Sequence, residues 1–363
     1  MEIVFFDSTT AFLLKNSASN TKVKIMVEAF QEKCETLVID NLNGISYIPD
    51  NKIKNGIQCV YFPSKNILRN YYKAYKHLKK TDTPFIITSS ARLSNIVFFI
   101  ILRLFMKFKL LYLFHEYHSS LETNKLNKGK GYIFDNTFAY ICNAILPISE
   151  YLTVKSLKFN KPIFKVPILY QYDNALTKIE TANKSFTYCG HIGYRRVIDI
   201  IIQAFVKLNI KDTELNMILY GADNEIKALH SELIKYKNIR IIQNLSNKDL
   251  QSLYKKSTAL LIPLDEKNEQ DKARFSQKIA EYLASGRPII TVNVGEIPFY
   301  FEDMKNAFIC KSLSPENITE KMKFCLDNKE ICDTVGYNGY LLGREKFESS
   351  KCIEQLYHFL QKI

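Results

Sequence analysis

Short apolar runs alternate with helical stretches along the whole chain. This alternation limits the folds open to it more than any other feature. In the first half the runs are EIVFF, ETLVID, QCVYFP, PFIITSS, KLLYLFH, AILPIS and FKVPI, with helical patterns over 65–80 and 92–107 among them. In the second half they are SFTYCG, NMILYG, IRIIQN, ALLIPL, PIITVN and AFIC, separated by helical patterns over 196–208, 248–256 and 278–285. Strand–helix–strand alternation predicts parallel sheets with helices on both faces. Two such series predict an α/β fold of two Rossmann-like domains, over 1–178 and 179–340, and 363 residues suffice for both. The polar run YDNALTKIETANK over 172–184 marks the boundary. Residues 341–363 read as a final helix that packs back toward the first domain.

In open parallel sheets, ligands bind beyond the carboxyl ends of the strands, so functional residues are sought just after each run. After SFTYCG come His191, Ile192, Gly193, Tyr194, Arg195 and Arg196, and then the helical run VIDIIIQAFVKL. Gly190 and Gly193 let the backbone turn tightly and approach a ligand closely. The free N–H groups of the helix that follows favour an anion, and paired arginines suit phosphate. The plainer reading is a strand–helix turn with solvated arginines. A second segment is LIPLDEKNEQDKARFSQKIAEYLASGRP, over 261–288. A strand gives way to a polar loop of both charge signs. A helix then starts near Ser276, a good N-cap residue, and its first turns bear Lys278 and Glu281. Glu281 is suited to accept hydrogen bonds from sugar hydroxyls, a solvated helix residue being the alternative. A third segment is the end of KLLYLF, where His115, Glu116, Tyr117 and His118 bring together two of the six histidines.

The charge is lopsided. Residues 1–178 hold 24 Lys and Arg against 13 Asp and Glu, whereas residues 179–363 hold 26 against 24. A basic half beside a near-neutral one implies an anionic partner for the first half. No nucleic-acid recognition motif accompanies the charge, so an anionic membrane face or a phosphorylated substrate is the expected partner. The most apolar stretch, NIVFFIILRLFMKFKLLYLF over 95–114, is interrupted by Arg103, Lys107 and Lys109. A spanning helix needs about 20 residues with few or no charges. The stretch therefore reads as a buried helix followed by a buried strand; the alternative is a basic amphipathic face resting on a membrane. The N-terminal MEIVFFDSTTAFLLK lacks the basic start and unbroken apolar run of a signal peptide. Eight cysteines without a CxxC spacing read as reduced, mostly buried thiols of a cytoplasmic protein.

Taken together, these segments resemble the GT-B-fold glycosyltransferases of retaining family 4, the glycosyl transferases group 1. The resemblance is best over 184–330. SFTYCGHIGYRRVIDIIIQAF resembles the family's glycine-rich strand–helix stretch, with Arg196 where the family has its diphosphate-binding Lys and His191 where many members have Arg. FSQKIAEYLASGRPIITVNVGEIP resembles the family's donor-binding helix and the strand after it. In the first half, YLFHEYHSS, CNAILPISEYL and FKVPILYQYD resemble family segments in the same order. Three departures stand out. Ala273 lies eight positions before Glu281, where many members carry a second Glu, with Asp271, Lys272 or Arg274 as substitutes. Ser8-Thr9-Thr10 follows Asp7 where the family has a glycine-rich loop. Val197 replaces the Gly that usually follows the Lys.

The resemblance implies two facing Rossmann-like domains with a deep cleft between them, the second holding a nucleotide-diphosphate sugar and the first an acceptor. Gly190, His191, Arg196, Ser276, Gln277, Lys278 and Glu281 are then the diphosphate and ribose set, with Gly221, Gln243 and Asn244 near the base. Asp7 and Glu116 lie on the acceptor side, and His115 positions the reacting centre. No cofactor is implied. The chain contains no Asp-x-Asp, which agrees with a metal-independent mechanism in which cations and backbone N–H groups stabilise the leaving diphosphate. The implied reaction is sugar transfer, with retention, to a hydroxyl of a glycan or lipid-diphosphate-linked glycan in cell-surface polysaccharide synthesis, at an anionic membrane surface. The alternatives are a nucleotide-sugar 2-epimerase and an inactive nucleotide-sugar-binding partner.

Overall fold

The computed structural model describes residues 1–8, 18–41, 53–54, 57–62, 66–90, 92–121, 124–173 and 184–363. Most of the loop expected after Asp7, and most of the polar boundary stretch, lie outside the described residues. The chain divides into two units. The first comprises Met1–Gln171, Ala273–Gln277 and Glu348–Ile363, and the second Tyr172–Lys272 and Lys278–Phe347.

The strands of the first unit are β1 (Glu2–Phe6), β2 (Glu35–Asn41), β3 (Ile53–Lys54), β4 (Ile57–Phe62), β5 (Phe85–Thr88), β6 (Lys109–Phe114) and β7 (Ala144–Pro147). They form one sheet in the order β3-β4-β2-β1-β5-β6-β7, parallel except for the β3–β4 pair. Its helices are α1 (Ala18–Gln31), α2 (Ile67–Leu78), α3 (Leu93–Leu102), α4 (His118–Leu121), α5 (Lys125–Thr137) and α6 (Glu150–Ser156). Local chemistry sets their starts. Asn66 caps α2 by accepting the Arg69 N–H at 3.2 Å, and Ser149 caps α6 by accepting from Leu152 N–H at 3.2 Å.

The second unit has β8 (Ser185–His191), β9 (Glu214–Tyr220), β10 (Ile239–Ile242), β11 (Ala259–Leu261), β12 (Ile289–Val292) and β13 (Phe308–Cys310). They form a parallel sheet in the order β10-β9-β8-β11-β12-β13. Around it lie α7 (Arg195–Leu208), α8 (Asp223–Leu233), α9 (Asn247–Lys256), α10 (Glu269–Ala273), α11 (Gln277–Ala284), α12 (Ile297–Tyr300), α13 (Pro315–Asp327) and α14 (Lys329–Lys346). Each sheet is wound outward in both directions from its middle. The strand order therefore reverses between β1 and β5 in one sheet and between β8 and β11 in the other, which is where such sheets leave a crevice for a ligand.

Three expectations need correcting. FKVPI is not a strand. Pro162 and Pro167 lack an N–H, so the segment only lies along β7, with Phe164 N–H donating to Ile145 O at 3.1 Å and Val166 N–H to Pro147 O at 2.8 Å. The C-terminal stretch is not one helix. α14 stops at Lys346, Phe347 is fully buried, and α15 (Ser349–Lys362) starts after a bridge between Glu348 and Tyr170. α15 then packs on α1, with Ile353, Leu356 and Leu360 in one core with Val23, Met26 and Phe30. The helix in the most apolar stretch is shorter than expected and is buried on one side only. Phe98, Phe99 and Leu102 face the core, while Val97, Ile100 and Ile101 are exposed.

All eight cysteines are free thiols, and only Cys34 is not fully buried. Among the described residues, no helix is long and apolar enough to cross a membrane.

Candidate active site

In the second unit the predicted residues gather at the carboxyl ends of β8, β9 and β11, around the point where strand order reverses. The chain approaches itself closely there. A Cβ on Gly190 would lie 2.3 Å from Tyr188 Oη, and one on Gly221 would lie 2.7 Å from Ile192 Cγ2 and 2.8 Å from His191 Nε2. Gly221 also has φ +128°, which L side chains rarely adopt, so that position requires glycine, whereas a Cβ at Gly190 would have to push the Tyr188 ring aside. The His191 ring is locked in place: its Nδ1 accepts the Gly193 N–H at 3.0 Å, and it meets the Tyr220 ring edge-on at 5.6 Å.

Lys278, in the first turn of α11, donates from Nζ to Tyr220 Oη at 3.1 Å and lies over the same ring. Burial works against its charge, but the Tyr220 phenol, Cys189 thiol and Glu281 carboxylate outweigh it and hold the ammonium above the ordinary lysine value. Glu281, one turn on, is raised by burial against the pull of Lys278. His191, Gly221, Tyr220, Lys278 and Glu281 thus form one surface with a fixed cation. Tyr282 sits beneath it, its Oη accepting the Cys189 N–H at 3.0 Å.

Arg196 stands at the start of α7 but is not an open cation. Its Nε donates to Asp265 Oδ2 at 3.1 Å and its Nη2 to Asp271 Oδ2 at 2.6 Å. Asp265 follows β11, so the pair straddles the reversal point. Gln277, expected in the donor set, is tied elsewhere. Its amide donates to Leu169 O and accepts the Leu169 N–H at 3.3 Å, within the first unit. The segment Ala273–Gln277, including Ser276, packs with that unit. Ala273 is fully buried and its carbonyl accepts from Ser149 Oγ, so this position serves packing. Of the expected substitutes, Asp271 is taken up by Arg196, and Arg274 is half-buried, with burial lowering its pKa against the opposing pull of Glu116. Gln243 and Asn244 follow β10 and are exposed, with Asn244 left-handed at φ +56°. Gln243 Nε2 donates to Asp223 Oδ1 at 3.4 Å.

In the first unit, Asp7 ends β1 in a left-handed conformation, φ +50°, and is buried. Its carboxylate accepts from Asn95 Nδ2 at 3.3 Å and pairs with Arg92 at 3.4 Å. Tyr71 Oη donates to Asn95 Oδ1 at 2.7 Å, extending the chain of polar contacts. His115 ends β6. Burial, with Lys22 and His118 adding to it, pushes its pKa down to about 3, so the imidazole is neutral at neutral pH. Its neighbour His118 has a different task. Asp135 accepts from the His118 and Ser119 backbone N–H groups and lies 2.9 Å from His118 Nδ1, which pins α4 onto α5.

Sequence reading passed over Lys22. It is buried on α1, donates from Nζ to Val166 O at 2.8 Å, and burial lowers its pKa to about 7. A signal was present: Lys22 lies four residues before Met26, on the apolar face of the helix.

Residues 174–342 match the family model described as Glycosyl transferases group 1. Over these residues the chain is similar to a group 1 glycosyltransferase domain. An uncharacterized glycosyltransferase of Methanocaldococcus jannaschii is 25% identical over 168 residues, which are 46% of this chain and 44% of that protein. The chain therefore spans less than half the length of that curated relative. Among solved structures, sucrose-phosphate synthase from Thermosynechococcus elongatus superposes with a TM-score of 0.78 at 13% identity, over 99% of this chain and 98% of the other. HepE from Anabaena, in complex with UDP and glucose, gives 0.76 at 14% identity, over 99% of each. At such identities the likeness shows the fold alone, the GT-B fold expected from the sequence.

Proposed function

We propose that the chain is a glycosyltransferase that moves a sugar from a nucleoside-diphosphate donor to a hydroxyl of a glycan or lipid-linked glycan, with retention. The observation that carries this reading is the surface of His191, Gly221, Tyr220, Lys278 and Glu281 beside the α7 start, at the reversal point of the second sheet. Lys278 supplies charge to a leaving diphosphate, and Glu281 accepts from ribose hydroxyls. Arg196 joins Lys278 when a diphosphate competes with Asp265 and Asp271 for it. Such preorganised cations stabilise charge as it develops on the leaving group. His115, neutral at the end of β6, orients the reacting centre, while Asp7 and Glu116 lie on the acceptor side. HepE was crystallised with UDP and glucose, which makes UDP the first nucleotide to try.

Thermal denaturation with UDP, GDP, ADP and CMP, with and without magnesium, tests this reading. A diphosphate at 100 times its dissociation constant should add about 2.7 kcal/mol to stability. No shift with any of them would remove the donor site. A UDP shift without sugar release to any acceptor extract would favour the second reading, an inactive nucleotide-sugar-binding partner, which the buried Ala273 in place of a family Glu supports.

A further inference from the structure

The first unit bears an apolar groove that the reaction above does not use. It lies between α2 and α3, is open to solvent, and has a volume of about 580 Å³. Leu68 and Tyr72 of α2 and Val97, Ile101 and Phe105 of and just beyond α3 line it. Leu68 is 75% exposed, Val97 58% and Phe105 64%, and Leu104 beside them is 79% exposed. Large side chains are left this open as a set only where something covers them.

The charges around the groove indicate what that is. Residues 66–80 and 92–108 hold eight Lys and Arg and not one Asp or Glu. Arg69, Lys76, Lys79, Lys80, Arg103 and Lys107 among them are exposed. On α2 the core takes Asn70, Ala74 and Leu78, one residue per turn, which turns Leu68, Tyr72 and Lys76 outward together. An apolar strip whose two flanking segments carry cations and no anion complements a surface that is apolar within and anionic at its boundary.

We propose that the α2–α3 face docks the protein on an anionic lipid bilayer, with Leu68, Val97, Ile101, Leu104 and Phe105 entering the acyl boundary and the surrounding lysines meeting the headgroups. This deepens the reading above by naming the surface through which a lipid-linked acceptor is reached. The two are separable, because the docking residues lie outside the donor surface.

The test is co-flotation of the full chain with vesicles of phosphatidylcholine, and of phosphatidylcholine mixed with phosphatidylglycerol. The chain should float with the anionic vesicles and much less with the neutral ones, and added salt should weaken binding. Each cation near an anionic surface adds about fivefold in affinity, so K76A/K79A/K80A should lose on the order of 100-fold. V97S/I101S should lose at least about tenfold on anionic vesicles through the apolar contact alone. All five positions are exposed or bordering solvent, and unchanged melting temperatures would show that the variants fold.

Equal binding to neutral vesicles, or variants that bind as the parent does, would overturn the proposal. So would a dimer in sedimentation that V97S/I101S dissolves without any vesicle binding, which would assign the groove to a second copy of the chain. A UDP shift that persists without vesicle binding sinks the docking face alone; vesicle binding without a UDP shift sinks the donor site alone.

Discussion

Arg196 Nη2 and Asp271 Oδ2 lie 2.6 Å apart, joining the start of α7 to a buried carboxylate whose second partner is the Asp265 backbone N–H at 3.0 Å. The arginine that the family pattern assigns to a diphosphate is therefore held by an internal anion that a ligand must displace. Replacing Arg196 with Ala leaves Asp271 buried against burial that already raises its pKa. The expected cost is about 1–3 kcal/mol by chemical denaturation, below that of a fully buried pair because the arginine side chain is 35% exposed. With Arg196 gone, the Asp271 carboxyl binds protons more tightly folded than unfolded. The deficit should then grow as pH rises through its raised pKa. UDP affinity should fall about 10–100-fold by calorimetry, the range for a charged hydrogen bond. D271N, which frees the guanidinium, should not weaken UDP binding.

Gly221→Ala should damage the same surface by another route. A Cβ there meets His191 and Ile192 in a backbone conformation reserved for glycine. A loss of about 1–3 kcal/mol in stability is expected, with weaker UDP binding as His191 moves. A variant as stable as the parent would show that the loop adopts another conformation.

His115→Gln should lower turnover on the order of 100-fold while sparing UDP affinity, as expected for a misplaced reacting centre. The folded imidazole releases its proton near pH 3, well below an unfolded histidine. The unfolded chain therefore binds more protons between about pH 3 and 6.5, and stability contributed by His115 is lost as pH falls through that window. The variant should lose less stability than the parent between pH 6.5 and 4, and NMR should show no His115 titration between pH 5 and 8.

Lys22→Met tests the buried lysine. Its folded pKa of about 7 lies below that of an unfolded lysine, so neutralising or charging it costs most at and below pH 7 and progressively less toward pH 10.5. Met removes the Val166 hydrogen bond as well. The variant's stability relative to the parent should improve as pH falls from about 10 to 7 and then level off. A pH-independent difference would place the ammonium in contact with water.

Much of the fold was legible because its signals are local. Runs such as SFTYCG and NMILYG are apolar enough to read as buried strands, and capping side chains such as Asn66 and Ser149 stand at helix starts. The alternation of the two types leaves little but a wound parallel sheet. Gly190 and Arg196 could be placed beside a strand's carboxyl end from sequence, and Lys278 and Glu281 on the helix after the polar loop. FKVPI misled because its β-like composition hides Pro167, and Pro162 lies just before it; neither can donate to a ladder. The closing helix misled because a buried Phe347 breaks a pattern that is helical on both sides.

What the sequence determined by itself is the set of elements and the side of each sheet on which chemistry occurs, since these follow from periodicity, caps and the direction of the strands. What only the tertiary structure decided is pairing over long separations. Asp265 and Asp271 are 69 and 75 residues from the arginine they hold, Gln277 is 108 from the backbone that claims its amide, and Lys22 is 144 from the carbonyl that satisfies it. No local pattern encodes which buried charge meets which partner, because that depends on the strand order that packs distant segments side by side. The same holds for the apolar stretch after Asn95. Its composition says that it avoids water, and only the packed sheet shows which half of the helix the core had room for.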